Sequence, residues 1–317
     1  KGWEVMREAR YKRQLEMGLI DKKWKLSPRD GIAWKDAPNK EWEIRLMETY
    51  AAMVDRLDQG LGRVIGALEK RKMLDDTLIL FLADNGGCAE GMGRRQGIQY
   101  KDKDPDQLKP MKATDLQIDM IPKRTREGVV LKQGTEVMTG GADTYHGYGL
   151  SWANASNTPF RQYKHWVHEG GISAPLVAHW PNGIEARGEF RQTPGHAIDV
   201  VPTILELAKV KVTKNKNAPP PPGKSLVPAF VEDRSIDRNY LWWSHDGNRA
   251  IRVKDWKLVS TNDNVWELFD LAKDRTETVN LSAKHPDKVK ELEKLWLAKQ
   301  DEFIEDANRD RSPKKKK

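Results

Sequence analysis

Between Trp42 and Leu74 the apolar residues fall at Leu46, Tyr50, Met53, Leu57, Leu61, Val64, Ile65 and Leu68. Steps of three and four draw a single apolar face along a long amphipathic helix. Ahead of it, residues 1–20 read as a basic helix with Tyr11, Leu15 and Leu19 about a turn apart, followed by a connector holding Trp24, Pro28, Trp34 and Pro38. Asp75-Asp76 ends the long helix, and residues 77–83 form an unbroken apolar run. Such a run predicts a strand buried on both faces, as in a parallel sheet covered by helices. A second buried strand is predicted from Ala174 to Trp180, and a helix from Asp199 to Lys209 that accepts Pro202 in its first turn. Helix, turn and buried strand in this order make an α/β unit.

Beyond residues 214–224, a Lys-, Asn- and Pro-rich linker, the pattern changes. Tyr240–His245, Arg249–Val253, Trp256–Ser260 and Val265–Phe269 are short apolar runs separated by Asp-Gly-Asn, Lys-Asp and Asn-Asp-Asn. That spacing predicts an antiparallel meander. A helix from Pro286 to Ile304 follows, with Val289, Leu292, Trp296 and Phe303 on one side. The expected organisation is an α/β portion over 1–224, a small α+β subdomain over 225–310 and a basic tail over 311–317.

The chain has 317 residues, room for one large domain or two unequal ones. It is 38% hydrophobic, and its 24 glycines bring the apolar share to about 45%, which excludes a wholly disordered chain. The longest apolar run, Leu78–Ala83, is far short of the ~18–20 residues that span a bilayer. The formal net charge is +8, and Lys314 to Lys317 supply four of those charges. The body at about +4 makes no case for nucleic acid. The one cysteine, Cys88, excludes an intrachain disulfide, and twelve Trp offer flat apolar faces that suit sugar rings as well as core packing.

Two segments carry candidate chemistry. Asp84-Asn85-Gly86-Gly87 leaves the carboxyl end of the first strand, where α/β sheets bind ligands. Asp and Asn offer hard oxygen donors suited to Ca²⁺ or Mg²⁺. The same four residues also make an ordinary Asx turn. The second segment runs from Asn157 to Gly171 and holds Arg161, Lys164, His165, His168 and Glu169. A lysine there can hold an oxyanion and stabilise charge on a leaving oxygen. His165 and His168, three apart, could form a metal pair, with no third ligand evident. The segment reads equally as a surface loop.

Taken together, Leu78–Gly87 and Trp152–Arg161 with Lys164 ahead of Glu169-Gly170-Gly171 resemble the metal-ligand turn and active-site lysine segment of the formylglycine-dependent (type I) sulfatases. His179–Ile184, His196–Thr203 and Trp256–Val259 fit the same pattern in family order, so the resemblance covers most of residues 42–300. It implies an alkaline-phosphatase-like mixed sheet flanked by helices, and hydrolysis of a sulfate monoester, aryl or carbohydrate. It also implies one Ca²⁺ held in part by Asp84 and Asn85, a catalytic lysine in Lys164 that contacts the sulfate, a substrate-binding position for His168 at one remove from the sulfate, and a periplasmic or secreted setting. His196 is expected to pack or hydrogen-bond at a helix start. The long polar stretch from Glu90 to Ala153 is the expected specificity loop, with Arg94, Arg95, Tyr145, His146, Tyr148 and Trp152 as substrate-contacting candidates.

The sequence also departs from the family. No Cys or Ser stands in register with a following Pro and Arg. Cys88 is followed by Ala-Glu-Gly-Met, and Asn157-Thr158-Pro159-Phe160-Arg161 has an Asn where the oxidisable residue belongs. The formylglycine and the Asp pair of the metal site are therefore expected in a preceding N-terminal half, and these residues alone are expected to be inactive and to bind calcium poorly. Two other readings stay open: a non-catalytic remnant that binds a sulfated glycan, and a phosphatase or phosphomutase relative, which would want histidine ligands for two transition metals.

Overall fold

A computed structural model of the chain describes residues 1–94, 108–210, 222–233, 236–262 and 265–309. Arg95, most of the linker and the basic tail lie outside the described residues. Helix α1 (Trp3–Glu16) buries Trp3 and Arg7. Arg7 donates to the Ser27 carbonyl at 3.0 Å and Tyr11 to the Trp24 carbonyl at 2.7 Å, so this helix is fastened to the connector by polar groups as well as by its apolar ones. Asn39 starts α2 (Lys40–Lys70) by accepting the Trp42 amide at 3.1 Å. Helix α3 (Leu150–Ser156) returns against α1, and Trp3, Ala37, Trp152 and Ala155 close a small core there. The Trp3 ring stands edge-on to Trp34 at 4.7 Å and to Trp152 at 5.4 Å.

Strand β1 (Ile79–Leu82) pairs with β2 (Leu176–His179), Ile79 facing His179 and Leu82 facing Leu176. The pairing is antiparallel, and Phe81, Leu82, Leu176 and Val177 are exposed, which corrects the expectation of a parallel strand covered on both faces. An unbroken apolar run carries no alternation to fix its neighbour's direction. The described residues supply it with one neighbour and leave much of its apolar surface open. The same holds for α2: Trp42 and Leu46 are buried, but Met53, Val54, Leu57 and Val64 are exposed further along. Among the described residues no helix is long and apolar enough to cross a membrane.

The short helix α4 (Glu169–Ile172) precedes β2, and α5 (Val200–Leu207) and α6 (Val227–Val231) follow it. Asp199, fully buried before α5, accepts the His196 and Lys224 amides at 2.8 Å each and pairs with Arg238. His196 caps this start through its own ring nitrogen, as the sequence suggested.

The C-terminal meander forms as its spacing requires. Strands β3 (Leu241–His245), β4 (Asn248–Val253), β5 (Trp256–Ser260) and β6 (Glu267–Asp270) lie side by side, each antiparallel to the next. Strand alternation gives the sheet two apolar faces. Ile251, Leu258 and Leu268 meet Leu292 and Trp296 of α7 (Pro286–Arg309) on one face. Ala250, Val259 and Phe269 meet Val167, from the loop that carries Lys164, on the other.

Lys257 of β5 lies on that second face with no exposed surface. Its ammonium sits 2.9 Å from Glu169 and 2.8 Å from Glu277. Arg275 reaches Glu169 at 3.1 Å and Ser173 at 2.6 Å, and Glu277 accepts the Glu169 amide at 2.7 Å. Burial alone would raise the Glu169 carboxyl. The charges of Lys257 and Arg275, with Arg252, outweigh it and hold the group below its usual value of 4.5.

Replacing Lys257 with Ala leaves two buried carboxylates without their shared cation, so denaturant titration should show a loss of about 3–5 kcal/mol. A depressed folded value means that Glu169 contributes stability above its usual 4.5 and loses it as pH falls below that. Acid titration of the unaltered chain should therefore show stability falling over that range, and this contribution should be reduced in K257A, where Arg275 remains beside Glu169. Replacing Trp152 with Ala empties the α1–α3 core and should cost about 3–5 kcal/mol, read as a lowered unfolding midpoint.

Candidate functional site

The residues after β1 turn sharply beneath the Lys164 loop. Gly86 donates to the Gly171 carbonyl at 2.9 Å, Gly87 donates to the Asn157 side chain at 2.9 Å, and the Lys164 amide donates to the Gly87 carbonyl at 3.0 Å. The approach leaves no room for a side chain, since a Cβ at Gly86 would lie 1.8 Å from the Gly170 carbonyl oxygen. Two segments about 80 residues apart in sequence are thereby zipped together by backbone and Asn157 contacts. Asn157 works in both directions, since its amide nitrogen also donates to the Gln162 carbonyl at 3.0 Å. The loop is held in a demanding shape on either side of Lys164, with Gln162 at φ 65° and His165 at φ 87°, both in the left-handed region.

Lys164 therefore emerges beside the Asp84 turn. Its ammonium pairs with Glu90 at 3.1 Å, both groups being partly exposed. The Glu90 hydrogen bond first, then the fields of Cys88, Glu90 and Asp84, raise its pKa, so the ammonium stays charged at neutral pH. Asp84 is exposed and Asn85 half-buried. Their oxygens fit the chemistry of a hard divalent cation, but Ca²⁺ takes six to eight oxygen ligands, and two side chains are a fraction of that set. Among the described residues the only cluster of three metal-ligating side chains is His165, His245 and Asp246, which does not include Asp84.

Several sequence candidates sit elsewhere. His168 is fully buried, its Nε2 3.0 Å from Glu267 of β6, so it ties the loop to the sheet and has no surface for substrate. That hydrogen bond, more than the charge of Arg161, holds the Glu267 carboxyl down against the opposing effect of burial. Trp152 is also closed off, with its indole donating to the Glu43 carbonyl at 3.0 Å; it packs the core, which corrects its assignment as a substrate contact. Arg94 is committed to Glu43, to the Tyr148 carbonyl at 2.9 Å and to the face of Trp42. Tyr145 reaches the Met120 carbonyl at 3.3 Å, and His146 stands edge-on to Trp42 at 5.6 Å, its pKa lowered chiefly by burial. Of this group Tyr148 comes nearest the site, for its hydroxyl lies where a side chain on Gly87 would go, and burial raises its pKa. A cavity of about 280 Å³ lined by Trp24, Arg252, Asp255 and Arg275 lies away from both Asp84 and Lys164.

No local pattern marks Glu90 or Asn157 as partners of the site, nor Glu277 and Asn248 as its supports. Each acts across the fold, at separations from 70 to 108 residues. His245 and Asp246 had one local signal, the Asp-Gly pair of a tight hairpin.

Known proteins resemble the chain over most of its length. The sulfatase family profile matches residues 21–210, and a profile described as N-sulphoglucosamine sulphohydrolase, C-terminal, matches residues 160–302. A sulfatase of Schizosaccharomyces pombe with no characterised activity is 32% identical over 94% of this chain and 52% of its own length. An arylsulfatase of Klebsiella aerogenes is 27% identical over 58% of this chain and 38% of its own. The crystal structure of Ps i-CgsB superimposes with a TM-score of 0.52 at 25% identity, covering 81% of this chain and 42% of that one. The chain thus spans about half the length of the fission-yeast relative, and less of the others. With that share of the sequence matched and the turn and the lysine loop joined in space, the chain belongs to the sulfatase family, with its alkaline-phosphatase-like α/β fold.

Proposed function

We propose that the chain is the C-terminal portion of a sulfuric ester hydrolase, and that its substrate is the sulfate monoester of a carbohydrate. The observation that carries this reading is the junction of the Asp84–Gly87 turn with the Lys164 loop, whose ammonium stands beside Glu90. A sulfate monoester needs positive charge on its non-bridging oxygens and on the oxygen that departs. Lys164 supplies an ammonium that is partly exposed and partnered by one carboxylate, so an incoming sulfate can replace Glu90 without uncovering a buried charge. Asp84 and Asn85 would hold a divalent cation, which when bound adds charge against the sulfate oxygens. The description of the matching C-terminal profile, a sulphohydrolase of an amino sugar, supports a sugar as the sulfate carrier.

No residue of this chain fits the formylglycine. Cys88 lacks the Pro and Arg that would follow a convertible cysteine, and no covalent step is assigned to it. The nucleophile and the remaining cation ligands would come from an N-terminal half. The exposed apolar positions of α2, β1 and β2, together with Val201 and Ile204 of α5, are the surface such a half would cover. The coverage of relatives at about half their length supports the same division.

The 317 residues alone should give no turnover of a chromogenic aryl sulfate. Joined to an upstream half bearing Cys or Ser with Pro and Arg in register, they should give turnover, and Lys164→Ala there should lower kcat/KM by about 10²–10³-fold. Hydrolysis by the chain alone, or undiminished kcat/KM in K164A, would overturn the proposal. Binding of a sulfated oligosaccharide by the joined protein without hydrolysis would favour the non-catalytic remnant.

A further inference from the structure

His165, immediately after Lys164, meets the tip of the β3–β4 hairpin. The ligand atoms of His165, His245 and Asp246 all lie within 4.8 Å of one another. Asp246 is 3.8 Å from His165 Nδ1 and 3.6 Å from His245 Nε2, and the two imidazole rings are 5.1 Å apart. We propose that these three side chains form a transition-metal site of the Zn²⁺ class, distinct from the oxygen-donor turn at Asp84 and Asn85.

The scaffold beneath the three groups is rigid. Asp246 and Gly247, at φ 46° and 77°, form a two-residue turn between the paired residues His245 and Asn248. Asn248 is fully buried and donates to the His165 carbonyl at 3.3 Å, which fixes the hairpin against the lysine loop. His165 itself is held at φ 87°, which aims its ring across the gap. The backbones are thus set, while the side chains are 39%, 56% and 71% exposed for His165, His245 and Asp246 and free to turn. A tetrahedral Zn²⁺ with bonds of about 2.0–2.2 Å needs donors about 3.3–3.5 Å apart, so rotations of a few tenths of an ångström to about 1 Å close the site.

The donor set selects the ion. Two imidazoles and one carboxylate suit Zn²⁺, Co²⁺, Ni²⁺ or Cu²⁺, whereas Ca²⁺ and Mg²⁺ take oxygen. An anion is disfavoured at the same place, because the Asp246 carboxylate stands between the rings. Three protein ligands leave a fourth position open to solvent. An ion held there would bridge the Lys164 loop and the C-terminal sheet, and would add a second positive charge beside Lys164. None of this depends on the chain being part of a hydrolase.

The test is a titration of the metal-free 317-residue chain with Co²⁺, read by its visible d–d absorption, followed by competition with Zn²⁺ and with Ca²⁺. Saturation at one Co²⁺ per chain is expected, with displacement by equimolar Zn²⁺ and none by excess Ca²⁺. His165→Asn, which tolerates the left-handed backbone, His245→Ala and Asp246→Asn should each weaken binding by more than about tenfold. Asp84→Asn should leave it unchanged. Zn²⁺ should raise the thermal midpoint of the unaltered chain and not that of H245A. No saturable binding below about 100 µM, equal binding in H245A, or loss of binding in D84N would each overturn the proposal.

Discussion

Lys257 has no exposed surface, so its charge must be answered inside the protein, and the groups that answer it are the ones that place the site. Glu169 opens the short helix after the lysine loop, and Glu277 lies in the turn that follows β6. Bringing both to one ammonium pins the loop to the sheet, and Arg275 and the buried His168–Glu267 pair add further ties on either side. Desolvating these charges is costly, and the cost is offset only while all partners are present. A cluster of this kind contributes less net stability than an apolar core of the same volume. What it does contribute is directional: it permits one placement of the Lys164 loop relative to β5 and β6.

The loop so placed has its backbone bonded to the Asp84 turn, its Val167 and His168 buried against the sheet, and Lys164 and His165 left facing solvent. Gly86, Gly87, Gly170 and Gly171 let the two segments touch without side chains between them, and the Asn157 side chain accepts the Gly87 amide. The chemistry-bearing groups therefore sit on backbone that is over-determined, which is the condition for a site to hold its geometry while its charges change. Lys164 and His165 share this platform. One points to Glu90 beside Asp84 and the other to the hairpin, so the sulfate contact and the proposed metal site would be neighbours supported by the same hydrogen bonds.

The apolar surface left open on α2, β1, β2 and α5 is best understood together with the half-length match to relatives. A folded surface of this composition is what the proposed N-terminal half would cover. The local structures nevertheless form, because helix periodicity, the Asn39 cap and the β1–β2 pairing are satisfied within the chain. Local consistency is thus separable from completion of the core.

How much of this could be read in advance depended on whether the signal was local. The meander of β3 to β6 and the helix α7 were legible nearly to the residue, because two-fold alternation and turn residues repeat within a few positions. The pairing of motifs around Asp84 and Lys164 was legible through resemblance, whereas the close approach of Gly86 to Gly170 emerges only in the fold. The direction of β1's partner was not, for a run apolar on both faces encodes burial without naming the neighbour. Trp152 and His168 were misassigned for a related reason: an aromatic ring or an imidazole has the same composition in a core as at a surface, and only packing against Trp3 or Glu267 decides which. The convergence of His165 with His245 and Asp246 was not legible, although the hairpin that carries the latter two was. His165 stands 80 residues before the adjacent His245 and Asp246, and they meet because Asn248 hydrogen-bonds a distant carbonyl, an event that no local pattern records.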